Sequence, residues 1–386
     1  MHVCVMLENH AKARMAGAEY QTLLLTEELA RRPGVKVTYV ARRIPEGADA
    51  QGLPYALRRI GHDEGIRRRA VFFDASDLLR TLRELKPDVI YQQSRQSYTA
   101  VCAWYAREAK IPFFFHIAHD FDLDYRWVTV RLSPNTPFDL IECMTGIWGL
   151  KHATHVIVQT ERQGRVLKEK YGKTAAAIIR NFQPFPDSLP AKPPGPLKIF
   201  WVANLKDWKR PGLFVELAES FAGRTDLEFI MAGRPTGQRR FEPLMQKIPT
   251  VRNLQYLGEV PIDKVNELMS QAAIHVNTSS FEGFPNTFLQ AWGRGAIVAT
   301  LAVDPDEEGM EALGIGYCAG TLERLHQFID ELSRSPERRQ QIMNNAFRFV
   351  HEKHSMAQGA RLADLILSAG NASAPAAAVQ PRQSTG

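Results

Sequence analysis

Short apolar runs alternate along the whole chain with stretches that are helical in pattern. In the first half the apolar runs are VCVML, VKVTYVA, DVIYQQ, IPFFFHIA, THVIVQT and AAIIRN; in the second half they are LKIFWVAN, LEFIMAG, LQYLG, AAIHVNTS and GAIVATL. One helical stretch, GAEYQTLLLTEELARR, ends in basic residues before Pro33 and Gly34, which is a helix-stop signal. Apolar strands that alternate with helices predict parallel sheets covered on both faces.

A proline-rich segment, residues 184–197, divides this pattern into two similar halves. Because its prolines keep it out of sheets and helices, it predicts a semi-rigid connector. We therefore predict an α/β fold of two Rossmann-like, doubly wound parallel-sheet domains that face a cleft, with ligands beyond the C-terminal ends of the strands. The predicted bounds are 1–185 and 197–350 for the domains, 186–196 for the linker, 351–369 for a terminal helix crossing back to the first domain, and 370–386 for a disordered tail.

Composition changes this picture little. At 386 residues the chain is long enough for two domains, and 45% hydrophobic with 23% charged residues is ordinary for a globular protein. The apolar runs are too short to span a bilayer, and MHVCVMLEN lacks a signal-peptide pattern, so we expect a cytoplasmic protein. The four cysteines are scattered, which predicts free thiols in a reducing compartment and no zinc site.

The net charge of +6 is concentrated in places, notably at Arg58, Arg59 and Arg67 to Arg69. Three interpretations stay open for this cluster: a solvated surface, contact with an anionic membrane or a lipid-linked phosphate, and nucleic-acid binding. The third is the weakest, since no nucleic-acid-binding module accompanies the charge. We expect no nucleic-acid partner.

The segment 279–295 carries the strongest chemical signal. It follows the apolar run AAIHVNTS, which reads as a buried strand, and leads into FLQAW, which reads as a helix. Pro285 suits the first helical turn, and a helix N-terminus after a glycine-containing loop favours a phosphate. Glu282 lies beside that position, and a carboxylate there is electrostatically awkward unless it binds hydroxyl groups. A sugar attached to a nucleoside diphosphate offers both the phosphate and the hydroxyls.

A second anion signal follows the strand LKIFWVAN. The loop before Pro211 carries Lys206, Lys209 and Arg210. Cations at a helix N-terminus oppose the helix dipole, so their presence indicates a bound anion, although surface basicity alone is the simpler alternative.

These motifs resemble the retaining glycosyltransferases of the GT-B fold, in the family 4 group that uses nucleotide-sugar donors. The resemblance spans nearly the whole chain and is strongest at the family's E-x7-E region, where this chain reads EGFPNTFLQAWGRGAIVAT. Glu282 matches the first acid, but Gln290 stands in place of the second, which typically holds the donor ribose. A glutamine accepts from one hydroxyl and donates to another, so we expect donor binding to be retained but altered.

The resemblance extends to the rest of the second half. Lys209 matches the family's diphosphate-binding lysine, whereas Asn204 replaces its arginine. Asn181 resembles the turn before the linker, and YLGEV matches the turn whose backbone meets the donor base. The implied donor-binding residues are Asn204, Lys209, Gly258, Val260, Gly283, Phe284, Asn286, Thr287 and Gln290.

In the first half, Ala16 and Gly17 occupy the family's GGAE turn, which implies an acceptor-side role shared with His116. His119, followed by Asp120, matches the strand-terminal His-Asp that contacts the transferred sugar, with a structural histidine as the alternative for both. The implied catalytic residues are Glu282, His119 and Lys209. The acidic run from Asp120 to Asp124 reads as a solvated loop, so we expect no metal and no cofactor.

The resemblance implies transfer of a sugar from a UDP- or GDP-sugar to a hydroxyl of a saccharide or lipid-linked acceptor, with retention, in cell-surface polysaccharide or glycolipid synthesis at the inner face of the cytoplasmic membrane. A nucleotide-sugar epimerase or hydrolase of the same fold, and a non-catalytic glycan-binding protein, remain alternatives. A dinucleotide oxidoreductase is less favoured, because ENHAKARMAGAE contains no GxGxxG.

Overall fold

The computed structural model describes residues 1–45, 52–61, 70–124, 136–235, 238–305 and 308–373. The chain forms two compact units. The first contains Met1–Arg180 and the C-terminal residues from Gly359 on, and the second contains Asn181–Gln358. The predicted linker, 186–196, therefore belongs to the second unit, and the chain returns to the first unit after residue 358.

Within the described residues, the first unit has a seven-stranded sheet in which all neighbouring strands are parallel. Its spatial order is β3-β2-β1-β4-β5-β6-β7. The strands are β1 (His2–Met6), β2 (Lys36–Ala41), β3 (Ala56–Arg59), β4 (Val89–Gln93), β5 (Phe113–His116), β6 (His155–Val158) and β7 (Ala177–Ile178).

Helices between the strands cover this sheet. They are α1 (Gly17–Ala30), α2 (Ala75–Leu85), α3 (Ser97–Ala109), α4 (Thr136–His152) and α5 (Glu161–Tyr171). Helices α3 and α4 pack closely because Gly149 has no side chain: a Cβ at this position would lie 2.4 Å from the Thr99 carbonyl carbon. Short 3₁₀ helices, Val71–Asp74 and Asp120–Leu123, lie in two of the connections.

The second unit repeats this architecture with a six-stranded parallel sheet among the described residues, in the order β10-β9-β8-β11-β12-β13. Its strands are β8 (Leu197–Val202), β9 (Leu227–Ala232), β10 (Leu254–Tyr256), β11 (Ile274–Asn277), β12 (Ile297–Thr300) and β13 (Gly316–Cys318). Its helices are α6 (Pro211–Ser220), α7 (Gln238–Lys247), α8 (Ile262–Gln271), α9 (Asn286–Trp292), α10 (Leu322–Arg334) and α11 (Pro336–His354).

Both faces of this second sheet are buried. Along β8, Ile199 and Trp201 join one hydrophobic cluster while Phe200 joins another on the opposite face, as the two-residue period of a strand requires. The prediction of two parallel-sheet α/β units is confirmed by this arrangement. Among the described residues, no helix combines the length and hydropathy needed to cross a membrane.

The last helix, α12 (Met356–Ser373), extends through the first four residues of the segment 370–386 that the sequence predicted to be a disordered tail. Its residues from Gly359 on belong to the first unit, where Arg361 donates to the Ile178 carbonyl and Asp364 pairs with Arg32. Leu362, Ile366 and Gly370 are buried at helical spacing on this helix, so its packed face continues into the segment predicted to be a tail. Residues 374–386 lie outside the described part.

Candidate functional site

Each sheet has a point at which its strand order reverses, between β1 and β4 in the first unit and between β8 and β11 in the second. The loops that leave the C-terminal ends of those two strands turn in opposite directions. In open α/β sheets this leaves a crevice in which ligands bind. The predicted site residues of each unit are therefore expected near this point of its sheet.

Lys209 and Glu282 meet at the edge of the second sheet. Lys209 ends a 3₁₀ helix, Asp207–Lys209, that follows β8, and Glu282 lies in the loop after β11. The Lys209 ammonium contacts the Glu282 carboxylate, and the two side chains are only 21% and 16% exposed. The Ser279 hydroxyl donates to the same carboxylate oxygen at 2.7 Å. The structure thus brings together a cation, an anion and a hydroxyl at the reversal of the strand order.

The loops that carry this ion pair are bonded to each other. The Thr278 hydroxyl donates to the Lys209 carbonyl at 2.6 Å and accepts from the Trp201 indole N–H at 3.0 Å. Arg210 donates to the carbonyls of Thr278 and Ser279 at 2.6 and 3.0 Å. The Arg210 guanidinium, which the sequence placed among the anion-binding cations, is therefore engaged in holding the β8 and β11 loops together. Lys206 lies over the Trp208 ring, 4.8 Å from its centroid.

The loop after Glu282 is held by hydrogen bonds from the first residues of the second unit. The buried Asn181 amide donates to the Phe284 carbonyl at 3.1 Å, and Gln183 donates to the Asn286 carbonyl at 3.4 Å. The Phe284 ring is itself buried, in contact with His354. Phe284 was predicted to bind the donor, which stays a prediction; because its side chain is a core residue, such a contact would have to come from its backbone. Gly283, Asn286 and Thr287 lie half-buried in this loop and the start of α9.

Gln290, predicted to bind the donor ribose, is buried on α9. Its amide nitrogen donates to the Asn266 carbonyl oxygen on α8 at 2.9 Å. The neutral side chain is thus matched to a neutral partner. A carboxylate at this position would face an amide oxygen, and Asn266 would have to turn over to donate to it.

The remaining predicted donor residues lie at the neighbouring strand ends. Asn204 is exposed directly after β8, while Gly258, with φ of +68°, and the half-buried Val260 follow β10. The sequence analysis missed Gly233, at the end of β9, whose N–H donates to the Gly258 carbonyl at 2.7 Å. A Cβ on Gly233 would lie 1.8 Å from the Ala203 carbonyl oxygen, so only glycine fits. The glycine directly after the apolar run LEFIMA was the available signal.

In the first unit, a cavity of about 390 Å³ occupies the equivalent position. Side chains from the loops after β1, β4 and β5 and from α4 line it, among them Glu8, Arg95, Gln96, His119 and Glu142. The sequence analysis singled out only His119 from this set. Glu8 directly follows the apolar run VCVML, and Arg95 lies two residues after DVIYQQ. Polar residues at strand ends were the signal that could have identified them.

Two carboxylates brace this cavity by accepting backbone hydrogen bonds. Glu142 accepts from the N–H groups of Phe72 and Ser97, both at 2.8 Å, and Ser97 is the first residue of α3. Asp122 accepts from the N–H groups of Arg95 and Ala118 at 3.0 and 2.7 Å. Burial raises the pKa of the Asp122 carboxyl, although the backbone hydrogen bonds act in the opposite direction.

The two predicted histidines differ in their surroundings. His119 lines the cavity, and its Nδ1 accepts from the Phe121 N–H at 3.2 Å, which places the proton of the neutral ring on Nε2. His116 is 2% exposed and is not among the cavity-lining residues. Its Nδ1 bonds to the Tyr91 hydroxyl at 2.8 Å, and burial lowers its pKa to about 3. His116 is therefore a neutral core residue, whereas His119 is available to a ligand.

The other first-unit predictions lie away from the cavity lining. Ala16 and Gly17 are exposed at the start of α1. Asp120 and Asp124 are paired with Arg162 and Lys170, at 3.4 and 3.7 Å. No group of three or more potential metal ligands occurs among the described residues. The absence of a metal requirement stays a prediction.

Comparison with known proteins bears on both units. The sequence profile described as Glycosyltransferase Family 4 matches residues 15–182, and the one described as Glycosyl transferases group 1 matches residues 187–349. A search of curated proteins finds no match.

Solved structures are similar over almost their whole length. Sucrose-phosphate synthase from Thermosynechococcus elongatus has a TM-score of 0.74 at 15% identity, covering 96% of this chain and 99% of its own. HepE of Anabaena, in complex with UDP-glucose, has a TM-score of 0.70 at 15% identity, covering 95% and 99%. WaaG, a glycosyltransferase involved in lipopolysaccharide biosynthesis, has a TM-score of 0.71 at 13% identity, covering 94% and 99%. At these identities the likeness shows the fold, which is GT-B.

Proposed function

Because the chain belongs to the glycosyltransferases of group 1 and family 4, we propose that it transfers a sugar from a UDP- or GDP-sugar to a hydroxyl group of a saccharide or lipid-linked acceptor. The observation that carries the proposal is the contact of Lys209 with Glu282 at the strand-order reversal of the second sheet. That position is where open α/β sheets bind ligands, and the pair offers one group for a diphosphate and one for sugar hydroxyls.

The proposed reaction breaks the bond between the anomeric carbon and the diphosphate oxygen, and the electron pair leaves with the diphosphate. The acceptor oxygen bonds to the same carbon on the same face, and its proton passes to the departing diphosphate. Lys209 stabilises the negative charge that develops on the leaving group, which is electrostatic catalysis by a preorganised cation. Glu282, oriented by Ser279 at 2.7 Å, accepts hydrogen bonds from hydroxyls of the transferred sugar.

Lys209 has a direct consequence for cofactor use. Its ammonium supplies the positive charge that a divalent cation supplies in other nucleotide-sugar sites, so we propose that the reaction needs no metal. Transfer that continues unchanged in excess EDTA is the expected result, and activity that returns only on addition of Mg²⁺ or Mn²⁺ would contradict it.

The cavity of the first unit is the proposed acceptor site. Its lining combines fixed carboxylates with the Nε2–H of His119, and such a set of acceptors and donors suits a hydroxyl-rich ligand. Ala16 and Gly17 are proposed to contact the acceptor through their exposed backbone. His116 is buried, so its proposed role is to support the end of β5 and not to contact the acceptor.

We further propose that the protein binds to the surface of an anionic membrane. Four large apolar side chains on α4 are exposed, namely Leu140, Ile141, Met144 and Trp148. They repeat at helical spacing, with Lys151 at the end of the helix, and such a face suits the interface of a bilayer. The Arg58 guanidinium, in contrast, is paired with Glu84 at 2.7 Å, and Arg67 to Arg69 lie outside the described residues.

Co-sedimentation with phosphatidylglycerol vesicles at low salt tests this part. We expect binding that weakens at least several-fold in Met144→Glu, because a charge on the inserted face must be desolvated. Equal binding of this variant, or none by the parent protein, would contradict the membrane location.

The central experiment is a screen of UDP-, GDP- and ADP-sugars against the purified protein, with binding measured by calorimetry and transfer measured with glycoside acceptors. The proposal expects one nucleotide to bind and acceptor-dependent transfer to follow. Consumption of the donor without an acceptor would instead support the epimerase or hydrolase alternative. Binding of glycans without consumption of any donor would support a non-catalytic protein.

A further inference from the structure

The residues that immediately precede Lys209 and Glu282 are both large aromatics, Trp208 and Phe281. Their side chains are 39% and 44% exposed. All the other large hydrophobic side chains that are exposed in the described part of the chain lie in the first unit. Exposed apolar surface of this size is unfavourable in water. Two such side chains next to one ion pair therefore indicate a binding site for a ligand or a partner.

The two rings form a defined surface. Their planes are 19° apart, and their centroids are separated by 6.2 Å. The Ser280 N–H and hydroxyl donate to the Trp208 carbonyl at 2.7 and 3.2 Å, which bonds the two loops at this point. The Lys206 ammonium over the indole adds a cation–π contact. The rings are therefore positioned before any ligand arrives, which lowers the ordering cost of binding.

The neighbouring polar groups restrict the kind of ligand. Within the same two loops lie the Glu282 carboxylate, the Ser279 hydroxyl and the Lys209 ammonium. A lipid chain would bury the rings but could form no hydrogen bonds to these polar groups, and a nucleobase stacks through its flat faces but carries no hydroxyl groups for the carboxylate. A sugar ring has one face of C–H groups and a rim of hydroxyls, so it matches both the rings and the polar groups.

We infer that Trp208 and Phe281 form a platform on which a sugar ring stacks beside the Lys209–Glu282 pair. The inference rests on the proposed function, because it takes that pair as the site of transfer. The ring belongs either to the sugar of the nucleotide donor or to the first residue of the acceptor glycan. Both present the same face to the aromatics.

The first test measures contact directly by saturation-transfer NMR, with UDP-glucose, GDP-mannose and methyl glycosides as probes. Saturation of the aromatic protons is expected to reach the C–H protons of the bound sugar ring. The signal is expected to fall strongly, at the same ligand concentration, in the double variant Trp208→Leu with Phe281→Leu. Transfer to the nucleotide sugar identifies the donor, and transfer to the methyl glycoside identifies the acceptor.

Steady-state kinetics form the second test. In the same double variant we expect the KM of one sugar substrate to rise about tenfold, while kcat stays within about threefold, because stacking contributes mainly to ground-state binding. Trp208→Phe and Phe281→Tyr keep an aromatic face and are expected to keep KM within about twofold. Trp104→Leu, an equally exposed tryptophan on α3, is the matched control and is expected to change neither value.

The outcomes separate this inference from the proposed function. If the parent protein binds no nucleotide and transfers no sugar, the proposed function fails. If the parent is active but the leucine variants keep both KM values and the NMR contact, only the platform is wrong. A weakened affinity for UDP or GDP alone, measured by calorimetry, would assign the rings to the nucleobase and overturn the inference.

Discussion

The first unit holds its polar groups around a cavity of about 390 Å³, whereas the second holds them on loops at an edge where two aromatic rings reach solvent. Both sites lie where the strand order of a parallel sheet reverses. In the cavity, Glu142 and Asp122 accept hydrogen bonds from backbone N–H groups. These carboxylates cannot move without breaking the hydrogen bonds that hold the surrounding loops. At the other edge, Lys209 and Glu282 bond to each other and can exchange that contact for a ligand.

The comparison shows that the sheet topology and the side chains determine different properties of a site. The sheet fixes where each site lies, and the residues at the strand ends fix its chemistry. We therefore expect the loss of the buried groups around the cavity to reduce stability, and the loss of either member of the ion pair to reduce the proposed activity.

Removing the buried cation of the first unit is expected to have the largest effect. Arg42 lines the cavity and pairs with Asp74 at 3.1 Å, and both side chains are 1% exposed. Arg42→Met leaves the Asp74 carboxylate buried without its cation, so we expect the free energy of unfolding to fall by about 3–5 kcal/mol. Chemical denaturation of the purified variant measures this.

The control is Arg58→Met, because Arg58 and Glu84 form an ion pair of which both members are half-exposed. Its loss is expected to cost about 0–1 kcal/mol. The double variant Arg42→Met with Asp74→Leu, which removes both buried charges, should recover much of the stability. An Arg42→Met protein as stable as the parent would show that the cavity does not depend on this pair.

The cation of the second unit is expected to affect turnover instead. Lys209→Ala removes the charge that we propose stabilises the leaving diphosphate, and the loss of such a contact is worth about 2.7–4 kcal/mol, or a loss of about 10²–10³ in kcat. We expect the unfolding free energy to change little, because the ion pair is partly solvated. Lys264→Ala, which removes an exposed lysine paired with Glu267 on α8, is the control. Near-normal donor turnover in Lys209→Ala would remove the diphosphate assignment.

The sequence predicted the fold well because its signals are local. Runs such as LKIFWVAN and AAIHVNTS became β8 and β11, and the loops after them brought Lys209 and Glu282 together as the resemblance implied. The family assignment and the two parallel-sheet units are confirmed. Polar residues at the strand ends could have indicated Glu8 and Arg95, but Glu142 comes from α4, a distant segment of the chain, and meets them only through the strand order.

Some residues of the predicted motifs have surroundings that differ from the expected ones, and the reasons are physical. The motif EGFPNTF places Phe284 next to the site in sequence, but the ring is apolar and packs against His354 in the core. His116 and His119 are both near the end of β5, and only the direction of each side chain separates a buried histidine from a cavity-lining one. Strand alternation and loop geometry set that direction, and neither is visible in a motif.

The smallest expected effect concerns Gln290, which is proposed to contact the ribose of the donor. Gln290→Glu introduces a carboxylate beside Asn266, whose amide must turn over to donate to it. If Gln290 contacts the donor ribose, the charge-assisted bond should tighten donor binding by about 1 kcal/mol, while the acceptor KM stays level. Titration calorimetry with the nucleotide sugar measures this shift. Gln290→Met, which keeps the volume but loses the hydrogen bonds, should weaken donor binding by a similar amount. If both variants bind donor as the parent does, Gln290 only joins α9 to α8, and the ribose contact must come from another residue of the second unit.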